Sequence, residues 1–231
     1  PAATAARGAE IGTGWAGSLT MGAGQFCTNP GIAVVAKGPE GDAFVAAAKQ
    51  ALAATGEQIM LTVGIAKAYR DGQARFEGRN AVTPLLSSQN EGRTAKPNLY
   101  ETDASAYLQD HALGEEVFGP LGLIVRVCDA EEMLGLAHGF EGQLTTTIQM
   151  DEADTALARK LMVILERKAG RILANGFPTG VEVADAMVHG RPYPASTNFG
   201  ATSVGTLSIR RFLRPVCFQN IPKGVMPDDL V

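Results

Sequence analysis

The stretch QLTTTIQMDEADTALARKLMVILERKAGRILA, residues 143–174, decides the fold class of this chain. Its first six residues are rich in β-branched side chains, which favour a strand, and residues 170–174 favour a second strand. Between them, Asp151 and Asp154 are typical of a helix N-terminus, and the residues that follow place leucines on one helical face. A strand, a helix and a second strand in this order predict a βαβ unit with parallel strands.

The same alternation extends toward the N-terminus. Short apolar runs predict further strands at 31–37, 98–102 and 122–127. Helical spacing predicts helices from about Ile11, from Asp42 as N-cap to about Gly56, over 61–76 with Ile65, Ala68 and Tyr69 facing inward, and over 129–137. We therefore expect an α/β protein with a mainly parallel twisted sheet and flanking helices.

The chain changes character after Asn175. Residues up to Gly205 are irregular and rich in glycine, proline, serine and threonine. The following segment RRFLRPVCFQ, residues 210–219, has the composition of an extended strand whose proline belongs at a sheet edge. We therefore expect an α/β domain over 1–205 and, over 206–231, a C-terminal extended segment with an oligomerisation-type strand and a tail.

The composition excludes several classes of protein. The 231 residues include 20 Lys and Arg against 24 Asp and Glu, and this net charge of −4 favours neither nucleic acid nor a membrane as a partner. Hydrophobic residues make up 45%, as in a packed domain. Three scattered cysteines indicate neither a disulfide framework nor a metal site, and they favour a reducing, cytoplasmic location. Cys128 and Cys217 are expected to be buried structural residues.

The N-terminal residues suggest a piece of a longer protein. The first ten residues, PAATAARGAE, contain no initiator Met and lack the pattern of a signal peptide, and a helical pattern begins almost at once. We therefore expect a fragment, with N-terminal processing as the alternative.

GQFCTNP, residues 24–30, is the strongest candidate for chemistry. Cys27 follows glycines at the end of a helical pattern, where backbone N–H groups can converge on a developing oxyanion. A thiol adds to a carbonyl carbon more readily than a hydroxyl does, because part of it is thiolate near neutral pH. The alternative is that Cys27 is only a small apolar residue of the core.

Two motifs resemble those of the aldehyde dehydrogenase superfamily, and they occur in the order expected for that family. GQFCTNPG at 24–31 is similar to the active-site cysteine motif, and EVFGP at 116–120 is similar to a signature downstream of it. The segments GAGQFCTNP at 22–30, NGFPTGV at 175–181 and PYPAST at 192–197 most resemble the α-ketoglutaric semialdehyde (2,5-dioxovalerate) dehydrogenase branch. The resemblance covers essentially the whole chain and implies the C-terminal, catalytic-domain part of such an enzyme.

The resemblance implies roles for the motif residues. Cys27 would attack a semialdehyde to give a thiohemiacetal and, after loss of hydride to NAD or NADP, a thioester that water hydrolyses. The Cys27 N–H would form half of the oxyanion hole. Glu116 would bind the nicotinamide ribose, and Phe118 would pack near the nicotinamide.

Four residues are expected to contact the substrate. Phe26 and Thr28 flank the candidate nucleophile, and Asn175 and Phe177 lie in an irregular segment after a strand, where binding residues commonly occur. The substrate class implied is a small aldehyde that carries a carboxylate.

Three parts of the family's machinery have no counterpart in this sequence. They are the general-base glutamate that activates the hydrolytic water, the asparagine of the oxyanion hole and the dinucleotide-binding domain, all expected upstream of residue 1. We therefore expect no reduction of NAD or NADP by residues 1–231 alone. The alternative function is an inactive, self-associating remnant of such an enzyme.

A thiol hydrolase is a further alternative. Cys27 and a histidine need only meet in space, and His111, His138 and His189 are the three candidates, although nothing local in the sequence supports any of them. Arg171 and Arg191 are weaker candidates that would bind a substrate carboxylate.

Overall fold

The computed structural model describes residues 1–190 and 192–230, and it confirms the expected α/β class. Within these residues the α-helices are α1 (Ala2–Thr20), α2 (Pro39–Ala54), α3 (Val63–Phe76), α4 (Ala104–Gln109), α5 (Ala130–Gly139) and α6 (Thr155–Leu165). The strands are β1 (Ile32–Ala36), β2 (Gln58–Ile59), β3 (Thr83–Leu86), β4 (Thr94–Ala95), β5 (Asn98–Asp103), β6 (Leu121–Val127), β7 (Gln143–Ile148) and β8 (Ala169–Ala174). Short 3₁₀ turns lie at Met21–Gly24, His111–Leu113, Glu152–Asp154, Thr206–Phe212, Lys223–Val225 and Asp228–Leu230.

The central sheet is mainly parallel. Its order is β1-β6-β5-β3, with β6 parallel to both β1 and β5, and β3 antiparallel at the edge. The βαβ unit of residues 143–174 forms as predicted, since β7 and β8 pair in parallel and α6 connects them. Asp151 and Asp154 cap each other's backbone N–H groups at the start of that connection. The strands β2 and β4, which form a short antiparallel pair, were not predicted.

Strand β6 forms the centre of the core because both of its faces are covered. All seven of its residues are buried. Leu123 and Val125 point into the apolar cluster beneath α3 and α5, and Ile124 points into the cluster beneath α1 and α2. Side chains alternate between the two faces of a strand, so a continuous apolar run is what a doubly covered strand requires.

Two details of the helix predictions are wrong. Gly38, not Asp42, is the N-cap of α2, and Asp42 lies in the first turn, where its carboxylate pairs with Arg126 at 2.6 Å. The inward-facing alanine of α3 is Ala66, whereas Ala68 is exposed. The other two inward-facing residues predicted for α3 are confirmed, since Ile65 is half-buried against the core and Tyr69 is fully buried.

The predicted burial of Cys128 and Cys217 is also wrong, because both thiols are exposed. Cys128 lies one residue beyond β6, outside the covered part of the sheet. Cys217 lies in the C-terminal segment, which contributes no buried side chain over Thr206–Phe212.

The C-terminal segment differs from the extended strand that we expected. Residues 210–212 belong to a 3₁₀ turn, and 213–219 pair with no strand of the described chain. An oligomerisation strand at this position therefore remains a prediction; Val231 lies outside the described residues. No helix in the described part of the chain has both the length and the apolar character needed to cross a lipid bilayer.

Candidate active site

The two motif-bearing loops meet through a glycine. Gly24 has φ +66°, and a Cβ at this position would lie 2.3 Å from the carbonyl carbon of Gly119 and 2.5 Å from the nitrogen of Pro120. A side chain at residue 24 would therefore collide with backbone that cannot swing aside. The glycine before Cys27 thus allows the EVFGP loop to lie directly against the cysteine loop.

Hydrogen bonds to α1 hold the turn that carries Cys27. Trp15 donates from Nε1 to the carbonyl of Pro30 at 2.8 Å, and Asn29 donates from Nδ2 to the carbonyl of Leu19 at 2.8 Å. The turn is closed by the Asn29 N–H, which donates to the carbonyl of Phe26 at 3.0 Å. Cys27 is exposed at the tip of this fixed turn, as a nucleophile has to be.

A cleft of about 750 Å³ opens between β1 and β7 and extends to the Cys27 turn. Five of the residues expected from the sequence line it: Cys27, Thr28, Glu116, Phe118 and Phe177. Glu116, Phe118 and Phe177, which follow Cys27 by 89 or more positions in the chain, therefore share one cavity with the thiol. A cleft of this size suits a small ligand.

The other two predicted substrate contacts, Phe26 and Asn175, do not line this cleft. The Phe26 ring packs against Gly22, where an added Cβ would lie 2.9 Å from the ring. Asn175 accepts hydrogen bonds at Oδ1 from the N–H of Met150 and from Nη2 of Arg7, both at 2.8 Å. The Asn175 oxygen thus braces α1 against the end of β7, and any contact with substrate remains a prediction.

Glu115 and Glu116, which are adjacent at the start of the EVFGP loop, differ in their contacts. Glu115 forms an ion pair with Arg75 at 2.9 Å. Glu116 is exposed on the cleft and makes no hydrogen bond or ion pair with a described residue. Its carboxylate is therefore free to accept hydrogen bonds from the hydroxyl groups of a ligand.

One of the three histidines reaches the thiol. His189 Nε2 lies 3.2 Å from Cys27 Sγ, although 162 residues separate them in the chain. The imidazole is only 8% exposed. Burial, and then the positive charge of Arg171, lower the pKa of His189 below its usual value. His111 and His138 are exposed elsewhere, so the structure selects a partner that the sequence left open.

Two arginines were suggested from the sequence as ligands of a substrate carboxylate, and the structure describes one of them, Arg171. Arg171 donates to the carbonyl of Gly180 at 2.6 Å and so supports the loop that carries Phe177. Arg191 lies outside the described residues. Among the described residues, only Nη1 of Arg171 is engaged in this way, and a contact of the guanidinium with a substrate carboxylate remains a prediction.

Comparison with known proteins confirms the expected resemblance to the aldehyde dehydrogenase superfamily. The chain matches, over its whole length, the C-terminal part of two curated relatives: it is 51% identical to alpha-ketoglutaric semialdehyde dehydrogenase 2 of Azospirillum brasilense and 43% identical to alpha-ketoglutaric semialdehyde dehydrogenase of Acinetobacter baylyi. It spans 44% of the length of each. No family model matches the chain.

Solved structures show the same fold at low sequence identity. Delta-pyrroline-5-carboxylate dehydrogenase of Mycobacterium tuberculosis is 18% identical, with a TM-score of 0.67 over 96% of this chain and 44% of that one. Aldehyde dehydrogenase 21 of Physcomitrella patens is 17% identical, with a TM-score of 0.62 over 78% of this chain and 38% of that one.

Proposed function

We propose that this chain is the catalytic part of an NAD(P)-dependent aldehyde dehydrogenase that oxidises a semialdehyde, 2,5-dioxopentanoate, to the acid. The observation that carries the proposal is the exposed Cys27 thiol on a cleft that also holds Glu116 and Phe118. The names of the two curated relatives support the choice of substrate.

Cys27 begins the proposed reaction. Its sulfur adds to the aldehyde carbon, the carbonyl π bond opens, and the oxygen becomes an oxyanion. The Cys27 N–H has no acceptor among the described residues, so it is free to donate to that oxygen. The fixed turn means that little reorganisation is needed when the charge develops.

Glu116 and Phe118 fit a bound nicotinamide dinucleotide. The unpaired carboxylate of Glu116 would accept hydrogen bonds from ribose hydroxyls, and the half-buried Phe118 offers an apolar surface on the same cleft. When bound, the dinucleotide supplies a hydride acceptor. Neither residue indicates a preference between NAD and NADP.

Thr28 and Phe177 are the proposed substrate contacts that line the cleft. Phe26 and Asn175 do not line the cleft and are retained only as proposed contacts. Phe177 packs against α1, where a Cβ on Gly14 would lie 2.6 Å from its ring, so the ring is held in place from behind.

Competitive thiol labelling tests this proposal. All three cysteines are exposed, so their rates of alkylation by iodoacetamide compare nucleophilicity more than access. We expect Cys27 to react fastest, and 2,5-dioxopentanoate to protect it alone by forming a thiohemiacetal. Butanal, which lacks the carboxylate, is the matched control and should protect only at higher concentration. Equal rates at the three cysteines would contradict the proposal.

We also propose that the protein forms a homo-oligomer through residues 206–230 and works in the cytoplasm. Exposed apolar side chains such as Phe212, which is 85% exposed, support the first statement. Three free cysteines support the second, since thiols persist in reducing compartments.

A further inference from the structure

The contact between Cys27 and His189 is not explained by the proposed reaction, which assigns the thiol no proton acceptor. Their Sγ and Nε2 atoms lie 3.2 Å apart, within hydrogen-bonding distance for sulfur. A weakly ionised nucleophile is commonly activated by a base at this distance. The pair therefore has the geometry of a nucleophile and its base.

The backbone of His189 fixes the position of the ring. The His189 N–H donates to Thr202 Oγ1 at 2.7 Å, and its carbonyl accepts from the N–H and the hydroxyl of Ser203 at 3.0 and 3.1 Å. Thr202 is itself buried and donates to the carbonyl of Val204 at 2.8 Å. The imidazole thus reaches the thiol from a well-anchored segment.

The surroundings of the ring favour its neutral form. Cys27 faces it from the turn after α1, and Arg171 faces it from β8. The Nδ1 atom is buried and has no partner among the described residues, so no carboxylate is present there to stabilise an imidazolium ion. A neutral imidazole with a free Nε2 lone pair is the form that accepts a proton.

We propose that His189 is the general base for Cys27. As the S–C bond forms and the carbonyl π bond opens, the thiol proton moves from Sγ to Nε2 of His189. The imidazolium then returns the proton to the alkoxide oxygen, which completes the thiohemiacetal without any change of oxidation state. With an activated ester, the same proton goes to the leaving alcohol, and an acyl group remains on Cys27.

This inference rests on the proposed function only in that Cys27 is the nucleophile. It is tested by acylation of Cys27 with p-nitrophenyl acetate from pH 6 to pH 10, measured by mass spectrometry of each cysteine peptide. For His189→Gln at pH 7 we expect a loss of about 100-fold at Cys27, the low end of what a general base contributes. The loss should shrink toward pH 10, because hydroxide then removes the thiol proton and a side-chain base is no longer needed.

Cys128 and Cys217 are internal references, and His138→Gln is the matched control. The rates at both reference cysteines should be unchanged in His189→Gln, and His138→Gln should behave as the wild type at all three positions. Equal Cys27 profiles for His189→Gln and the wild type would overturn the proposal. In that case, wild-type acylation that is faster at Cys27 than at Cys128 and Cys217 would still support the proposed function. Acylation of Cys27 no faster than at those two cysteines would contradict the proposed function as well.

A second measurement covers the case in which His189→Gln does not fold. In the otherwise unchanged chain, Cys27→Ala should shift the imidazole ¹⁵N resonances and the titration midpoint of His189, while those of His111 and His138 stay in place. An unchanged His189 titration would show that the ring exchanges no proton with the thiol, and it would overturn the proposal without any histidine variant.

Discussion

The α/β core over residues 1–174 and the C-terminal segment over residues 206–230 contain the same kinds of apolar side chain but place them in opposite surroundings. Strand β6 buries all seven of its residues, with Leu123 only 1% exposed. None of the three 3₁₀ turns of the C-terminal segment contains a buried residue, and Leu213 is 65% exposed.

The difference shows what each region needs in order to be stable. In the core, the apolar runs of the strands and the apolar faces of the helices cover one another within a single chain. In the described C-terminal segment most apolar side chains are left exposed, so they gain little from folding until another surface covers them. Matched substitutions in the two regions test this difference.

The largest effect is expected for Leu123→Ala, which removes a fully buried side chain from β6. Loss of transfer free energy together with a residual cavity should lower the free energy of unfolding by about 2–5 kcal/mol. The matched control, Leu213→Ala in the C-terminal segment, should change it by less than about 0.5 kcal/mol. Urea unfolding measures both, and similar losses in the two variants would remove the distinction between the regions.

Asp154→Asn tests how the core holds its first helix. The Asp154 carboxylate accepts hydrogen bonds from the N–H groups of Ala2 and Ala3, at 2.8 and 2.9 Å. Burial alone raises the pKa of Asp154, but the backbone hydrogen bonds from Ala2, Ala3 and Asp151 lower it well below the usual 3.8. We expect Asp154→Asn to cost about 1–3 kcal/mol at pH 7.

The pH dependence of this contribution has a defined sign. Because the pKa is lower in the folded chain than in the unfolded one, the stabilisation is fully present above about pH 4 and decreases as the pH falls further. The difference between the wild type and Asp154→Asn should therefore shrink in acid. Asp228→Asn in the C-terminal segment is the control, and a constant difference down to pH 2 would contradict the assignment.

A smaller effect is expected for Thr62→Ala at the N-terminus of α3. Thr62 Oγ1 accepts a hydrogen bond from the N–H of Ile65 at 3.1 Å, which caps the helix. Loss of such a cap costs about 1 kcal/mol. The control is Ser208→Ala, in a turn with no buried side chain, where the hydroxyl has no hydrogen-bond partner among the described residues. Thermal unfolding should show a larger loss of stability for Thr62→Ala than for Ser208→Ala.

The smallest effect on stability, but a large one on assembly, is expected for Phe212→Asp combined with Val216→Asp. Both side chains are exposed, so the free energy of unfolding should change by less than about 0.5 kcal/mol. Sedimentation should show dimers or larger species for the wild type and a monomer for the variant. A wild-type chain that sediments as a monomer would exclude self-association through this segment.

Several elements of the fold were predictable because their signals are local. The β-branched run at β7, the short apolar run at β8 and the acidic pair before α6 specify a βαβ unit within 32 residues, and the structure contains it. Two details were predicted incorrectly. Helix α2 begins at Pro39, a residue favoured in the first turn of a helix, so Gly38 and not Asp42 is its N-cap. In α3, Ala66 rather than Ala68 faces the core.

The sequence by itself determined the α/β class, the apolar strand at the centre of the core and the candidate nucleophile, since each is specified by neighbouring residues. The tertiary structure alone decided that Gly24 lies against Gly119, that Cys128 is exposed, and that His189 rather than His111 or His138 reaches Cys27. The physical reason is that helical and strand periods order residues only over short distances. A contact across 162 residues depends on how the layers pack, and no period in the sequence encodes it.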